Sequence, residues 1–183
     1  MKYVELEIEG VWLIEHSLFG DARGHLERVY DQESRRKRGI DTEVEHALIS
    51  KNPKAGTLRG FHFQVSPFLE AKTISCTSGA IYDVVVDLRV DSKTYCKWVG
   101  VELDEKKTQS LHVPKGCANA WLTLAPETTL HYFMAEQYSP EHSRGFRFDD
   151  PAFEVDWPNT PEVIAERDLS WPAFNRSFDG IQL

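Results

Sequence analysis

Gly56-Thr57-Leu58-Arg59-Gly60-Phe61-His62-Phe63-Gln64 closes the breaker Pro53-Lys54-Ala55-Gly56 and continues as a β-strand. Strict alternation along it sets Arg59 and His62 on opposite faces. Gly60 between them permits a bulge that would re-aim one of the two side chains. Outward from this stretch, short alternating or apolar segments recur: Tyr3–Ile8, Val11–His16, His25–Tyr30, Ala47–Lys51, Thr73–Thr77, Ile81–Leu88, Lys97–Leu103, Gln109–Val113, Ala118–Leu122 and Thr128–Ala135. Breakers separate them at Gly20-Asp21, Ser78-Gly79, Pro114-Lys115-Gly116 and Pro126-Glu127. Helical periodicity is confined to Gln32–Lys37 and Pro161–Arg167. From about residue 139 the chain turns rich in Pro, Asp and aromatics, as expected of a loop-rich tail packed over the strands. The pattern predicts an all-β fold, closed or sandwiched, in one domain spanning residues 1–183.

Of the 183 residues, 41% are hydrophobic and 27% charged, enough to bury a core without a metal or disulfide staple. No apolar run approaches the ~20 residues of a membrane-spanning helix. The charged start Met1-Lys2-Tyr3-Val4-Glu5 lacks the apolar core of a signal peptide, so a cytoplasmic protein without membrane association is expected. Twenty-one basic against 29 acidic residues leave a net charge of −8, which disfavours nucleic acid as a partner. The dense cluster Arg35-Arg36-Lys37-Arg38 is short and is expected to be a solvated helix end or loop. Cys76, Cys96 and Cys117 have no metal or disulfide spacing and are expected to act as small buried hydrophobes.

The spacing of Gly56–Gln64 and of Pro114-Lys115-Gly116-Cys117-Ala118-Asn119 resembles the two motifs of the cupins. Metal-binding cupins place histidines where this chain has Gln64 and Asn119, and carboxamides are poor ligands for divalent metals. A cupin of this sequence is therefore expected to hold no metal. The ordered set Asp21-Ala22-Arg23-Gly24, Arg59-Gly60-Phe61-His62-Phe63-Gln64, Lys72, Gly79–Arg89, Ser92–Tyr95, Pro114–Trp121, Tyr132, Tyr138-Ser139-Pro140, Asp149-Asp150-Pro151, Asp156-Trp157-Pro158 and Asp168 resembles the dTDP-4-dehydrorhamnose 3,5-epimerase family across nearly the whole chain. That resemblance implies a double-stranded β-helix (the cupin jelly roll) and a homodimer with the N-terminal strands, residues 1–30, in the contact. It also implies cofactor-free epimerisation, at C3, C5 or both, of a nucleoside-diphosphate 4-keto-6-deoxyhexose.

The residue types suit that chemistry. A 4-keto group acidifies the hydrogens on C3 and C5, and histidine titrates near physiological pH, so His62 is the candidate base. The resemblance implies that Asp168 orients its ring, Lys72 stabilises charge on O4, and Tyr132 delivers a proton from the opposite face. Arg23 and Arg59 match positions associated with the diphosphate, where planar forks suit phosphate oxygens. Gln64, Asn119, Tyr138 and Arg28 are further candidate substrate contacts. Asp83 alternates with Val85 and Asp87 and is the candidate polar partner of Lys72. His25, His112 and His142 are expected to be structural or solvated.

Departures from the family cluster on recognition. Leu26 stands for an aromatic, Arg28 for an acid, Ala47 and Ile49 for amides, Asn119 for a histidine, and Trp121 enlarges its position. A changed or relaxed preference for the base is therefore expected. Two other readings are a metal-dependent cupin enzyme, opposed by Gln64 and Asn119, and a non-catalytic sugar-binding cupin. The joint presence of His62, Lys72, Tyr132 and Asp168 counts against the second.

Overall fold

Turns cut the chain into short strands, and pairing between distant segments assembles them. The computed structural model describes residues 1–176 and 180–183. The strands are β1 (Lys2–Glu5), β2 (Trp12–Glu15), β3 (Ser17–Asp21), β4 (Gly24–Arg28), β5 (His46–Asn52), β6 (Thr57–Gln64) and β7 (Lys72–Ser78). They continue as β8 (Ala80–Asp87), β9 (Trp98–Asp104), β10 (Gln109–Val113), β11 (Cys117–Thr123), β12 (Thr128–Met134), β13 (Ser143–Gly145) and β14 (Val163–Ile164). The helices are α1 (Gln32–Arg36) and α2 (Glu166–Leu169).

One antiparallel sheet has the order β1-β2-β10-β7-β12-β5; the other runs β13-β6-β11-β8-β9, with β14 joined parallel to β6. Ile74, Ile81, Val85, Leu103, Leu111 and Leu130 belong to one apolar core. A second core forms around Phe61, Val84, Val86, Phe146 and Phe153, where the C-terminal tail lies against β6 and β8. Val84 and Val85 thus serve different cores, which explains why Ile81–Leu88 is apolar almost throughout. Each fully buried aliphatic or aromatic side chain contributes about 1.5–3 kcal/mol. The result is the all-β cupin architecture, with a loop-rich tail and two short helices. No described helix is long and apolar enough to cross a membrane.

Strands β1 and β2 pair within the chain, and the β3–β4 hairpin stands outside both sheets. Two local outcomes differ from the sequence-based expectations. Pro161–Arg167 is not one helix: Val163–Ile164 pairs with Thr57–Leu58, and α2 begins at Glu166. Arg35 is not solvated but 2% exposed, because the turn of α1 aims it at the barrel. There it donates to Thr73 Oγ1 at 2.6 Å and the Asp41 carbonyl at 3.2 Å, meets His112 Nδ1 at 3.1 Å, and lies over the Tyr30 ring. Burial first, and then the Arg35 charge, push His112 down to about 3, so this histidine is neutral in the core.

Candidate active site

Cross-strand register explains which side chains meet. Lys72 and Ile74 are two apart on β7, opposite Met134 and Tyr132 of β12, so all four share a face. On the other sheet His62 is paired with Asn119, and Arg59 with Trp121. Between those pairs β6 advances three residues while β11 advances two, which is the bulge that turns Arg59 and His62 to one side. Gly60 makes it: its φ is +113°, and a Cβ there would lie 2.6 Å from the Asn119 carbonyl oxygen. These side chains line a cavity of about 240 Å³ together with Glu70, Tyr138, Ser143 and Arg167.

His62 Nε2 lies 2.7 Å from Asp168 Oδ1, while Asp168 Oδ2 accepts from the Gly60 N–H at 3.2 Å. Burial alone would raise the Asp168 carboxyl, but the hydrogen bond and charge of His62, with the Gly60 amide, hold it below the usual carboxylate range. An ionised acceptor on Nε2 leaves Nδ1 as the basic ring nitrogen, and Nδ1 has no hydrogen-bond partner among the described residues. Lys72 Nζ is 2.8 Å from Glu70 Oε1, both side chains being 9% exposed. Arg59 lies over the Trp121 ring and donates to Asn52 Oδ1 at 3.4 Å.

The remaining candidates lie beneath the cavity, on its wall and on the exposed hairpin. Asp83 makes no hydrogen bond or ion pair with Lys72, although the Lys72 charge acts on it: it is completely buried beneath Asn119, accepting from its Nδ2 at 2.5 Å. Burial pushes the Asp83 carboxyl up to about 7. Gln64 reaches the cavity wall but uses its amide on backbone, donating to Phe68 O and Gln137 O and accepting from Ser139 N–H at 2.7 Å. Its bonds therefore hold the loop that carries Tyr138. Arg23 and Arg28 lie on the exposed β3–β4 hairpin, Arg23 paired with Asp21 and Arg28 placed 3.6 Å from Asp31 and over the Phe19 ring. Leu26 and Ile49, two of the departing positions, are 74% and 66% exposed.

Two charged cavity residues escaped the sequence reading. Glu70 precedes β7 at the spacing that shares a face with Lys72, a signal that alternation alone could have supplied. Arg167 donates to Ser143 Oγ at 3.0 Å and lies over the Trp171 ring; only its adjacency to Asp168 hinted at it. Among the described residues no group of three or more His, Cys, Asp or Glu side chains could hold a metal ion. The arrangement offers instead a histidine–carboxylate dyad, a phenol and a lysine around one cavity, suited to moving protons at a carbon next to a ketone.

A family model described as dTDP-4-dehydrorhamnose 3,5-epimerase matches residues 5–176. The dTDP-4-dehydrorhamnose 3,5-epimerase of Sinorhizobium fredii is 41% identical over 174 residues, covering 94% of this chain and 89% of the relative. The crystal structure of the Bacillus anthracis dTDP-4-dehydrorhamnose 3,5-epimerase with TDP and PPi bound has a TM-score of 0.90 at 36% identity, covering 94% of this chain and 99% of that one. A 3'-monoepimerase from Streptomyces bikiniensis in complex with dTDP-quinovose has a TM-score of 0.84 at 32% identity, covering 92% and 85%. With sequence and topology agreeing over nearly its whole length, the chain belongs to the dTDP-4-dehydrorhamnose 3,5-epimerase family and is a sugar-nucleotide isomerase.

Proposed function

We propose that this enzyme epimerises a dTDP-linked 4-keto-6-deoxyhexose at C3, C5 or both. The observation that carries the reading is the His62–Asp168 dyad opening on the same cavity as Tyr132 and Lys72. Neutral His62 takes the proton from a carbon next to the C4 ketone, and the C–H electron pair moves through the new C=C bond onto O4. The Lys72 ammonium stabilises that negative charge. Tyr132 then gives its phenolic proton to the opposite face of the carbon, and the electron pair returns from O4. Proton exchange with solvent resets the phenol and the imidazolium. Asp168 supports the imidazolium because its own carboxyl is held ionised.

Arg59 and Arg167, on the cavity wall, suit the diphosphate. Arg23 is exposed on the hairpin and reaches the diphosphate of a second copy in a homodimer. Leu18, Phe19 and Leu26 on the hairpin, and Leu48 and Ile49 on the edge strand β5, are exposed apolar surfaces that such a dimer would cover. A lone two-stranded hairpin is marginally stable in water, which also favours a partner. The exposed Leu26, Arg28, Ala47 and Ile49 would then set base preference at the same interface. The doubly charged diphosphate does not cross a bilayer unaided, which supports a cytoplasmic site of action.

Incubation with the dTDP-linked 4-keto-6-deoxyglucose in heavy water, followed by NMR, tests the reaction. Deuterium at C3, C5 or both, with inverted product, is expected. Absence of both exchange and inversion would refute it.

A further inference from the structure

We infer that Asn119 is a specificity-determining residue whose side-chain oxygen accepts a hydrogen bond from the 3-hydroxyl of the bound hexose. This inference rests on the epimerase reading above. Asn119 is the cross-strand partner of His62, so its side chain stands beside the candidate base on the cavity face. Its orientation is decided by its neighbours. The Val84 carbonyl oxygen, 3.1 Å from Nδ2, can only accept, so the atom facing it is the nitrogen. The same Nδ2 donates to Asp83 Oδ1 at 2.5 Å, which places both N–H groups on the β8 side. The remaining arm, Oδ1, has no protein donor among the described residues, and it is not one of their sealed-off unpaired atoms. It is an acceptor open to the cavity.

The other polar groups around the cavity are mostly donors: Arg59, Arg167 and Lys72, with the Tyr132 hydroxyl able to act either way. Glu70 is an acceptor already engaged by Lys72. A 4-keto-6-deoxyhexose carries a carbonyl at C4 and a methyl group beyond C5, so its free hydroxyls are those on C2 and C3. The 3-hydroxyl sits on a carbon beside the ketone, next to where His62 works. The register of Asn119 against His62 points to that hydroxyl. A carboxamide cannot take up a proton, so the contact reads the hydroxyl without taking part in acid–base chemistry. Asp83 acts as the anchor: completely buried, with Oδ2 unpaired, it holds the amide without reaching the substrate itself.

The test is a cycle between substrate and protein changes. Deuterium exchange at C3 and C5, both of which keep hydrogens next to the ketone when the 3-hydroxyl is removed, is measured for the parent dTDP-4-keto sugar and its 2-deoxy and 3-deoxy analogues. Wild type should lose roughly tenfold or more in kcat/KM on the 3-deoxy analogue, as expected for one lost hydrogen bond that leaves a buried partner unpaired. Asn119→Ala should show the same loss with the parent and nothing further with the 3-deoxy analogue. The 2-deoxy analogue should affect both proteins alike. Asn119→Ser, which can still donate to Asp83, guards against a folding failure, and unchanged calorimetric binding of dTDP confirms the site is intact. Equal losses on the 3-deoxy analogue in wild type and both variants would overturn the inference. No exchange at either C3 or C5 by wild type with the parent sugar would instead defeat the epimerase reading, and this inference with it.

Discussion

The cavity between the sheets and the β3–β4 hairpin hold their candidate side chains in opposite ways. In the cavity, His62 is fixed by Asp168, Asp168 by a backbone amide, and Lys72 by Glu70, all within one chain. On the hairpin, Arg23 and Arg28 pair with nearby carboxylates, Arg28 also lying over Phe19, and every residue of β4 is exposed. The hairpin is nevertheless anchored at its base, where His16 contacts both Glu27 of β4 and Ser110 of β10. Proton transfer demands groups placed to fractions of an ångström, which packed strands provide. Recognition of a long, flexible nucleotide tolerates an arm completed by another surface.

Substitutions should separate the two regions by which kinetic constant moves. The largest effect belongs to His62→Ala, expected to lower deuterium exchange at both C3 and C5 by about 10³-fold or more. Retained epimerase activity would place the base elsewhere. Tyr132→Phe should lower product inversion by about 10²-fold while exchange through the enolate persists. Equal loss of exchange and inversion would contradict separate roles for the two faces.

Asp83→Asn sharpens the comparison through stability. The Asp83 carboxyl is raised by burial to about 7, so the native state holds a proton that the unfolded chain releases near pH 4. Its contribution is therefore present at low pH and lost as pH rises through about 7. Relative to Asp83→Asn, wild type should gain on the order of 2–3 kcal/mol as pH falls from 8 to 5, read by urea unfolding. His112, held down to about 3, acts in the opposite sense in both proteins and cancels from the difference. A pH-independent difference would show that Asp83 does not titrate in that window.

Arg23→Ala carries the smallest effect, about a tenfold rise in KM with kcat nearly unchanged, as for one charge-assisted contact to phosphate. The same rise should disappear at dilutions where light scattering finds monomer. A loss confined to kcat would break the division between arm and cavity.

Local pattern alone determined most of the strands. Thr57–Gln64 and Gln109–Val113 run between the same end residues in sequence pattern and in structure, because period-two alternation bounded by turn residues is a property of neighbouring residues. The need for a bulge at Gly60 was legible for the same reason, since a three-residue spacing conflicts with a two-residue repeat. The family resemblance named His62, Lys72, Tyr132 and Asp168 as a set, but no local rule could bring residues 106 positions apart to 2.7 Å. Tertiary structure alone decided that Asp83 lies beneath Asn119, and that Gln64 braces a backbone loop. It likewise buried Arg35 and replaced a helix at Val163–Ile164 with a parallel pairing. In each case the outcome depends on which distant backbone group or side chain arrives to satisfy a buried donor or acceptor, and that is fixed by strand order and register.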